Sequence, residues 1–430
     1  MQNTKKIASL TLGCKVNDYD TKAMLNLFQN NGYEVEEDFS AFADVYLINT
    51  CTVTSIGDKK SRQMIRRARL LNPNAIVVAA GCYAQVAPNE ISKIEGVNIV
   101  IGNKDRNNIV NMVKNYDKKD VEINVEDLRY EKIFEELKLE SMGEKTRAFV
   151  KIQEGCNEFC SYCIIPYARG GNRSREINNI ITEVQNLSVA GYKEIVLTGI
   201  HVTSYGNDLI NTTLIDVLKK LHDIDTLERI RLSSIEPRLI TEEFIYALSK
   251  LPKICDHFHL SLQSGCDKTL KKMNRKYNTS DFERSVQLLR SVMPNVAITT
   301  DVIVGFPGEE ERDFATTVSF IQNINFASMH IFPYSAKKGT RAYDFPEQIS
   351  TQVKNIRAKI LKDINITQRQ NFIKSQTNKN LKVLYETEVQ KNVYEGYSTN
   401  YIKVQTRSNS CIKNEVLNIN LSNESSTYVL

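Results

Sequence analysis

The stretch Ala148-Phe-Val-Lys-Ile-Gln-Glu-Gly-Cys156-Asn-Glu-Phe-Cys160-Ser-Tyr-Cys163 decides the fold. Its first half alternates apolar and polar residues and ends at Gly155, the pattern of a strand over residues 148–153. Its second half puts three cysteines directly beyond that strand, at the end where active sites of β/α folds gather. Three soft thiolates at this spacing can hold an iron–sulfur cluster corner by corner. A 4Fe–4S cluster normally takes four thiolates, so three leave one iron open for another ligand. Zinc is the alternative. No histidine or fourth cysteine lies nearby at zinc-finger spacing, so a closed tetrahedral site is not available locally.

Downstream of this stretch, strand patterns recur at 194–198, 229–234, 257–262, 297–304 and 327–332, with helical patterns between them. One helix carries Ile177, Ile180, Ile181, Val184 and Leu187 at helical spacing and stops at Gly191. Six β/α units imply a partial (β/α)6 TIM-like barrel rather than a closed barrel of eight. Upstream, strands at 7–12, 45–49 and 76–80 alternate with helices at 20–30 and 59–71, which implies an open parallel sheet covered by helices. The charged segment 116–145 has little periodicity beyond a short helix and reads as a linker. A long basic helix follows residue 350 and carries Lys354, Arg357, Lys359, Lys362 and Arg369. Short strands at 383–389, 401–406 and 417–421 then suit a small β-barrel. The expected α/β architecture is thus an N-terminal sheet domain (1–115), a linker (116–145), a barrel domain (146–350), a connecting helix (351–375) and a C-terminal barrel (376–430).

Composition narrows the class. Hydrophobic residues make up 41% and charged residues 25% of the 430, an ordinary balance for a globular chain. No apolar run approaches a bilayer span, so no membrane association is expected. Lys5 and Lys6 precede an apolar stretch too short for a signal peptide, which reads instead as the first strand. The cysteines number nine, at 14, 51, 82, 156, 160, 163, 255, 266 and 411. An odd count without a secretion signal argues for a reducing, cytoplasmic setting and against a disulfide scaffold. The net charge of +5 is too mild to announce nucleic acid. Lys59, Lys60, Arg62, Arg66, Arg67 and Arg69 do crowd one helix, with Arg62, Arg66 and Arg69 on one face. That face is either solvated or phosphate-binding.

Cys14, Cys51 and Cys82 form a second group, each at the C-terminal end of an expected strand. In an open parallel sheet those ends share one edge, where ligands bind. Three thiolates converging there would hold a second cluster. Singly, each would read as an ordinary buried cysteine.

The C-x3-C-x2-C spacing with an aromatic before its last cysteine resembles the radical S-adenosylmethionine superfamily. The resemblance implies that the open iron of a cluster on Cys156, Cys160 and Cys163 chelates S-adenosylmethionine, whose reductive cleavage yields a 5′-deoxyadenosyl radical, with Tyr162 near the adenine. Across the whole chain the sequence resembles the methylthiotransferase family. The matching stretches are Leu12-Gly-Cys-Lys-Val-Asn17, Asn49-Thr-Cys51-Thr-Val-Thr54, Gly81-Cys82-Tyr-Ala-Gln85, the segment from Gly155 to Gly170 and Arg173-Ser-Arg175. The tail resembles a shortened TRAM domain, an RNA-binding β-barrel, although it is not strongly basic.

This likeness implies two 4Fe–4S clusters. The auxiliary one, on Cys14, Cys51 and Cys82, supplies sulfur, a second S-adenosylmethionine methylates it, and the radical step installs methylthio on an unreactive C–H carbon. Strand-end residues Thr198, Gly199, Ser233, Ser234, Glu236, Gln263, Asp301 and Gly305 are expected to line the cofactor pocket, the polar groups suiting ribose and carboxylate recognition and the glycines close backbone approach. Cys266 reads as a helix-start residue, Cys255 and Cys411 as packing residues, and His201 and His259 as structural.

Thr52-Val53-Thr54 and Ile164-Ile165-Pro-Tyr-Ala-Arg169 resemble the branch acting on threonylcarbamoyladenosine beside the tRNA anticodon. Arg62, Arg66 and Arg69 would then meet RNA phosphates. The isopentenyladenosine branch, the ribosomal-protein aspartate branch, a small-molecule sulfur inserter and a structural metal-binding RNA adaptor stand as alternatives. A flavodoxin- or ferredoxin-type electron donor and a monomeric chain complete the expectation.

Overall fold

The computed structural model describes residues 4–117, 119–139 and 146–421, and the backbone of 426–428. The N-terminal sheet is parallel throughout, in the order β2-β1-β3-β4-β5-β6. Its strands are β1 (Lys6–Thr11), β2 (Glu34–Glu36), β3 (Val45–Thr50), β4 (Ile76–Gly81), β5 (Ile99–Ile101) and β6 (Glu122–Asn124). Every residue of β3 is buried, as in a sheet covered on both faces. β1, β3 and β4 match the expected strands to within a residue. β2, β5 and β6 are three residues each, too short to leave a pattern.

Two expectations change. The first helix is Lys15–Asn30 and starts directly after Cys14, not at residue 20. The Asn17 side-chain amide donates to Leu12 O (2.7 Å) and Thr50 O (3.1 Å), tying the helix start to the ends of β1 and β3. The second helix, Ser55–Leu71, begins one turn early because the Thr54 hydroxyl accepts from Gly57 N (3.1 Å) as its cap. Segment 116–145 supplies β6, buries Leu128, Leu137 and Leu139, and holds no helix among its described residues.

The central domain has six parallel strands in two hydrogen-bonded sets. β7 (Arg147–Glu154), β9 (Glu194–Gly199) and β10 (Arg229–Leu232) form one, and β11 (His257–His259), β12 (Ala297–Val304) and β13 (Ser328–Pro333) the other. Bridges Ile230↔Ile254 and Ile235↔Leu260 join them into one curved wall. The two-residue β8 (Arg173–Ser174) runs antiparallel to the end of β7. β10 and β11 end earlier than expected, at Leu232 and His259, although Ser233 N still donates to Leu197 O (2.9 Å) and Leu260 N to Thr299 O (2.9 Å). One continuous core joins this wall to its outer helices, from Val150 and Ile152 through Leu197, Ile230 and Leu262 to Val302.

Helix Thr351–Gln376, capped by Ser350, leads to an antiparallel curled sheet in the order β17-β14-β15-β16-β18. Its strands are β14 (Asn380–Gln390), β15 (Val393–Ser398), β16 (Lys403–Arg407), β17 (Val416–Asn420) and β18 (Ser426–Tyr428). Register shifts along β14 bend it, as bulges do. Cys255 is buried and Cys266 precedes helix Asp267–Lys272, as expected. Cys411 is exposed, not packed: it lies in an exposed turn between β16 and β17.

Candidate active site

β7 runs into Gly155, whose φ of +74° no other residue adopts without strain, and a Cβ there would overlap Gly171 O. The chain then loops through the three cysteines, pinned by Cys156 N to Gly170 O (3.0 Å) and Cys163 N to Cys160 O (2.9 Å). Phe159 takes a left-handed φ of +46° within the loop. Cys156, Cys160 and Cys163 all face a cavity of about 930 Å³ inside the half-barrel. That volume lies at the upper end of the ~300–1,000 Å³ range of small-molecule sites. Burial pushes the Cys156 and Cys163 thiols up to about 12.

The second triad sits across the open side of the barrel. The strand order reverses between β1 and β3, where open α/β sheets bind ligands beyond their strand ends. Cys14 follows β1, Cys51 follows β3 and Cys82 follows β4. A Cβ on Gly13 would come within 3.0 Å of Cys51 Sγ, so only glycine lets β1 turn this close. The three thiols stand close enough to couple: Cys51 senses the charges of Cys82 and Cys14, and Cys14 that of Cys82. Burial pushes the Cys51 thiol to about 11. Gly13, Cys14, Lys15 and Val16 line the same cavity as the first triad, whereas Cys51 and Cys82 lie behind them.

The donor sets fit iron–sulfur clusters on two counts. First, each triad has one sulfur under a buried guanidinium: Arg275 Nη1 donates to Cys160 Sγ (3.1 Å) and Arg169 Nε to Cys82 Sγ (3.2 Å). A thiolate-rich anionic group wants such donors, and they outlast the protons that loading displaces. Second, among the described residues the donor groups closing to within 4.8 Å are His259–Asp301–His330 and Glu158–His201–Glu236. Neither thiol triad is drawn in that tightly, so the sulfurs leave room for a body larger than one tetrahedral ion with bonds of ~2.3 Å.

Most of the expected pocket residues converge. Tyr162, Thr198, Gly199, Ser233, Ser234, Glu236 and Asp301 line the cavity. Gln263 and Gly305 do not. Gln263 is taken up in a bridge to β12, and Gly305 lies beneath Lys354 while donating its N–H to Glu309 (2.6 Å). Burial alone would raise the Glu236 carboxyl, but the hydrogen bond from His201 and the charge of Arg275 outweigh it and hold it at about 2. His201 and His259 line the cavity, His259 at 3.3 Å from Asp301 and His330 at 3.1 Å from the same carboxylate. Arg62 bonds Tyr83 (2.7 Å) and Glu90 (3.2 Å), Arg69 donates to the carbonyl of Pro73, and Arg66 is exposed; none of the three lines the cavity.

Several residues whose contacts no motif announced complete the site. At its foot Arg231 lies over Tyr401 (4.7 Å) and donates to Thr399 O (3.0 Å), while Tyr401 stacks on His257 (4.7 Å). Between the domains Arg169 also donates to Asn17 (2.5 Å), Asp20 (3.0 Å) and Glu154 (2.9 Å), beside Lys151 and Arg106, all of them buried. Arg169 lay inside a quoted motif, but nothing local betrayed its partners, the nearest of which is 15 residues away.

This fold and thiol loop define the radical S-adenosylmethionine class: residues 150–321 match the radical SAM superfamily, and residues 6–102 match uncharacterized protein family UPF0004. The chain is 44% identical to the threonylcarbamoyladenosine tRNA methylthiotransferase MtaB of Bacillus subtilis, over 93% of this chain and 89% of that one. It is 41% identical to the protein of that name from Aquifex aeolicus (88% and 92% covered) and 37% identical to a tRNA-2-methylthio-N(6)-dimethylallyladenosine synthase of Clostridium tetani (88% and 84%). The chain belongs to the radical S-adenosylmethionine methylthiotransferase family, which uses S-adenosylmethionine and 4Fe–4S clusters. Among solved structures, the methyltransferase TsrM of Kitasatospora setae shares the fold, with a TM-score of 0.57, 16% identity and 77% and 75% of the chains covered.

Proposed function

We propose that this chain is a tRNA-modifying enzyme that places a methylthio group on C2 of threonylcarbamoyladenosine beside the anticodon. The observation that carries this reading is one cavity lined by Cys156, Cys160 and Cys163 and by Cys14 of the second triad, in a chain 44% identical to a relative named for that reaction. Cys156, Cys160 and Cys163 would hold the cluster that binds S-adenosylmethionine, and Cys14, Cys51 and Cys82 the auxiliary one. Bound there, these groups supply one-electron cleavage of the cofactor and the sulfur that is transferred.

The chain's own side chains do the rest. Glu236 stands at the cavity wall as a carboxylate and accepts from Arg275 (2.5 Å) and Arg238 (2.7 Å), which fixes Arg275 beside Cys160. Tyr162 presents its ring at the cavity wall and packs edge-on against Phe306 (6.5 Å). Arg275 and Arg169 steady the innermost sulfur of each triad. The His257–Tyr401–Arg231 stack closes the foot of the cavity.

The domain limits expected from the sequence, with β6 reassigned to the first domain, serve this reading. So do a flavodoxin- or ferredoxin-type donor, a monomeric chain and a cytoplasmic setting; no helix of the described residues is long and apolar enough to cross a membrane. Arg66 is the best placed of the three helix arginines for RNA phosphates, because Arg62 is paired.

Nucleoside mass spectrometry on tRNA from cells with and without the gene tests the proposal. Loss of methylthio-threonylcarbamoyladenosine alone is expected. Loss of the isopentenyl form instead would move the substrate to the second branch.

A further inference from the structure

We propose that Lys15 receives the carboxylate of the threonylcarbamoyl arm and so selects the acidic over the isopentenyl substrate, an inference that rests on the reaction proposed above. Lys15 directly follows Cys14 and opens the first helix, with its side chain in the cavity. Most other charges around it are answered. Arg147 pairs with Glu386 (3.3 Å), Arg231 with Glu194 (2.8 Å), Lys403 with Glu395 (2.9 Å) and His330 with Asp301 (3.1 Å).

Lys15 forms no ion pair among the described residues. Its contact is the face of Phe149, 5.7 Å away. Arg147 and Arg231 stand close enough to repel it, and His257 and His330 sense its charge. A cation without an ion pair, flanked by other cations in the cavity, is a ready seat for an anionic group, and Glu194 and Cys14 only partly offset that repulsion.

The substrate chemistry supplies that anion at the right place. In threonylcarbamoyladenosine the N6 arm ends in a carboxylate, whereas an isopentenyl arm is neutral and apolar. C2 and the N6 arm flank N1 on one edge of the purine. With C2 presented to the triad containing Cys14 and its N1 edge turned toward the first helix, the arm comes within reach of Lys15, the residue next to Cys14. A hydrogen-bonded charge pair formed in such a cavity is among the stronger polar contacts. The apolar arm would instead leave Lys15 unpaired, which is how a site rejects an analogue lacking the group it was built to bind.

The test uses the reconstituted full chain and anticodon stem-loop RNAs with threonylcarbamoyladenosine, its neutral carboxylate methyl ester or isopentenyladenosine. Dissociation constants are read by fluorescence anisotropy, with iron content and product formation measured alongside. The wild type is expected to prefer the carboxylate over the ester by roughly tenfold or more. Lys15→Gln should lose that preference while binding the ester as the wild type does and keeping its iron; Lys15→Arg should restore most of it.

The proposal is overturned if the wild type does not distinguish acid from ester, a comparison that needs no variant. It is equally overturned if Lys15→Gln weakens both RNAs alike, as a phosphate contact would. A variant that keeps the preference but loses iron would make Lys15 a partner of the cluster rather than of the substrate. Failure of the underlying reaction looks different: the wild type would then modify the isopentenyl RNA and leave the threonylcarbamoyl RNA untouched.

Discussion

Replacing Arg169 by leucine should unlock the seam between the first two domains. Its guanidinium donates to Asn17, Asp20, Glu154 and Cys82, and it is fully buried. Without it Asp20 keeps Lys151 (2.5 Å) and Arg106 (2.6 Å), and Glu154 keeps Lys151 (3.1 Å), so neither carboxylate is wholly stranded. The loss is still that of one member of a buried ionic network, about 3–5 kcal/mol. At ~2–4 °C per kcal/mol for large domains, this lowers the thermal midpoint by about 6–20 °C. Anaerobic thermal scans of Arg169→Leu, Asp20→Asn and the double variant measure it. The two changes should be coupled by about 0.5–3 kcal/mol because their side chains touch. An unchanged midpoint in Arg169→Leu, or strict additivity with Asp20→Asn, would refute the idea that this network fastens the domains.

Three other outcomes are expected. Cys156→Ala and Cys51→Ala should each lower iron from about eight to about four per chain, yet only Cys156→Ala should abolish S-adenosylmethionine cleavage; joint loss in a folded Cys51→Ala protein would tell against separate sites. Gly155→Ala should prevent the thiol loop from closing, because its Cβ would strike Gly171 O at a positive φ; normal iron loading in that variant would contradict this. Finally, Glu154 and Asp20 are held below the usual carboxylate range, and Glu236 at about 2, against burial that would raise all three, by the surrounding cations and, for Glu236, the His201 hydrogen bond. A depressed folded pKa contributes stability above the unfolded value and loses it as pH falls. Stability should therefore decline from about pH 4.5 downwards, and a flat profile from pH 5 to 2 would exclude this linkage.

The sequence carries the fold where a pattern is long or repeated. β12 is met residue for residue and the three thiol-bearing strands within one, because consecutive apolar residues set their limits. Three-residue strands such as β2 and β5 are too brief to be periodic, and β15 is interrupted by Gly396, which lies against Leu384 O. The six candidate cluster cysteines are legible because Cys14, Cys51 and Cys82 each follow a strand and Cys156, Cys160 and Cys163 are spaced closely in one loop after β7. The foot of the cavity is not, because Arg231, His257 and Tyr401 come from different strands and the C-terminal domain and meet only through tertiary packing. Gln263 and Gly305 lie outside the cavity lining for a related reason. A strand-end position says where the backbone stops, not which way the next residue turns.

The Tyr401 stack also bears on how this chain tolerates rearrangement. Arg229 and Arg231, from the barrel wall, donate to the carbonyls of Tyr397 and Thr399, and Tyr397, Asn400, Tyr401 and Ile402 form part of the cavity floor. The C-terminal domain is thus less an attachment than the base plate of the reaction vessel. A catalytic core cut at residue 376 would be open at the bottom, and exchanging this domain between relatives would reshape the chamber as well as any surface that grips RNA.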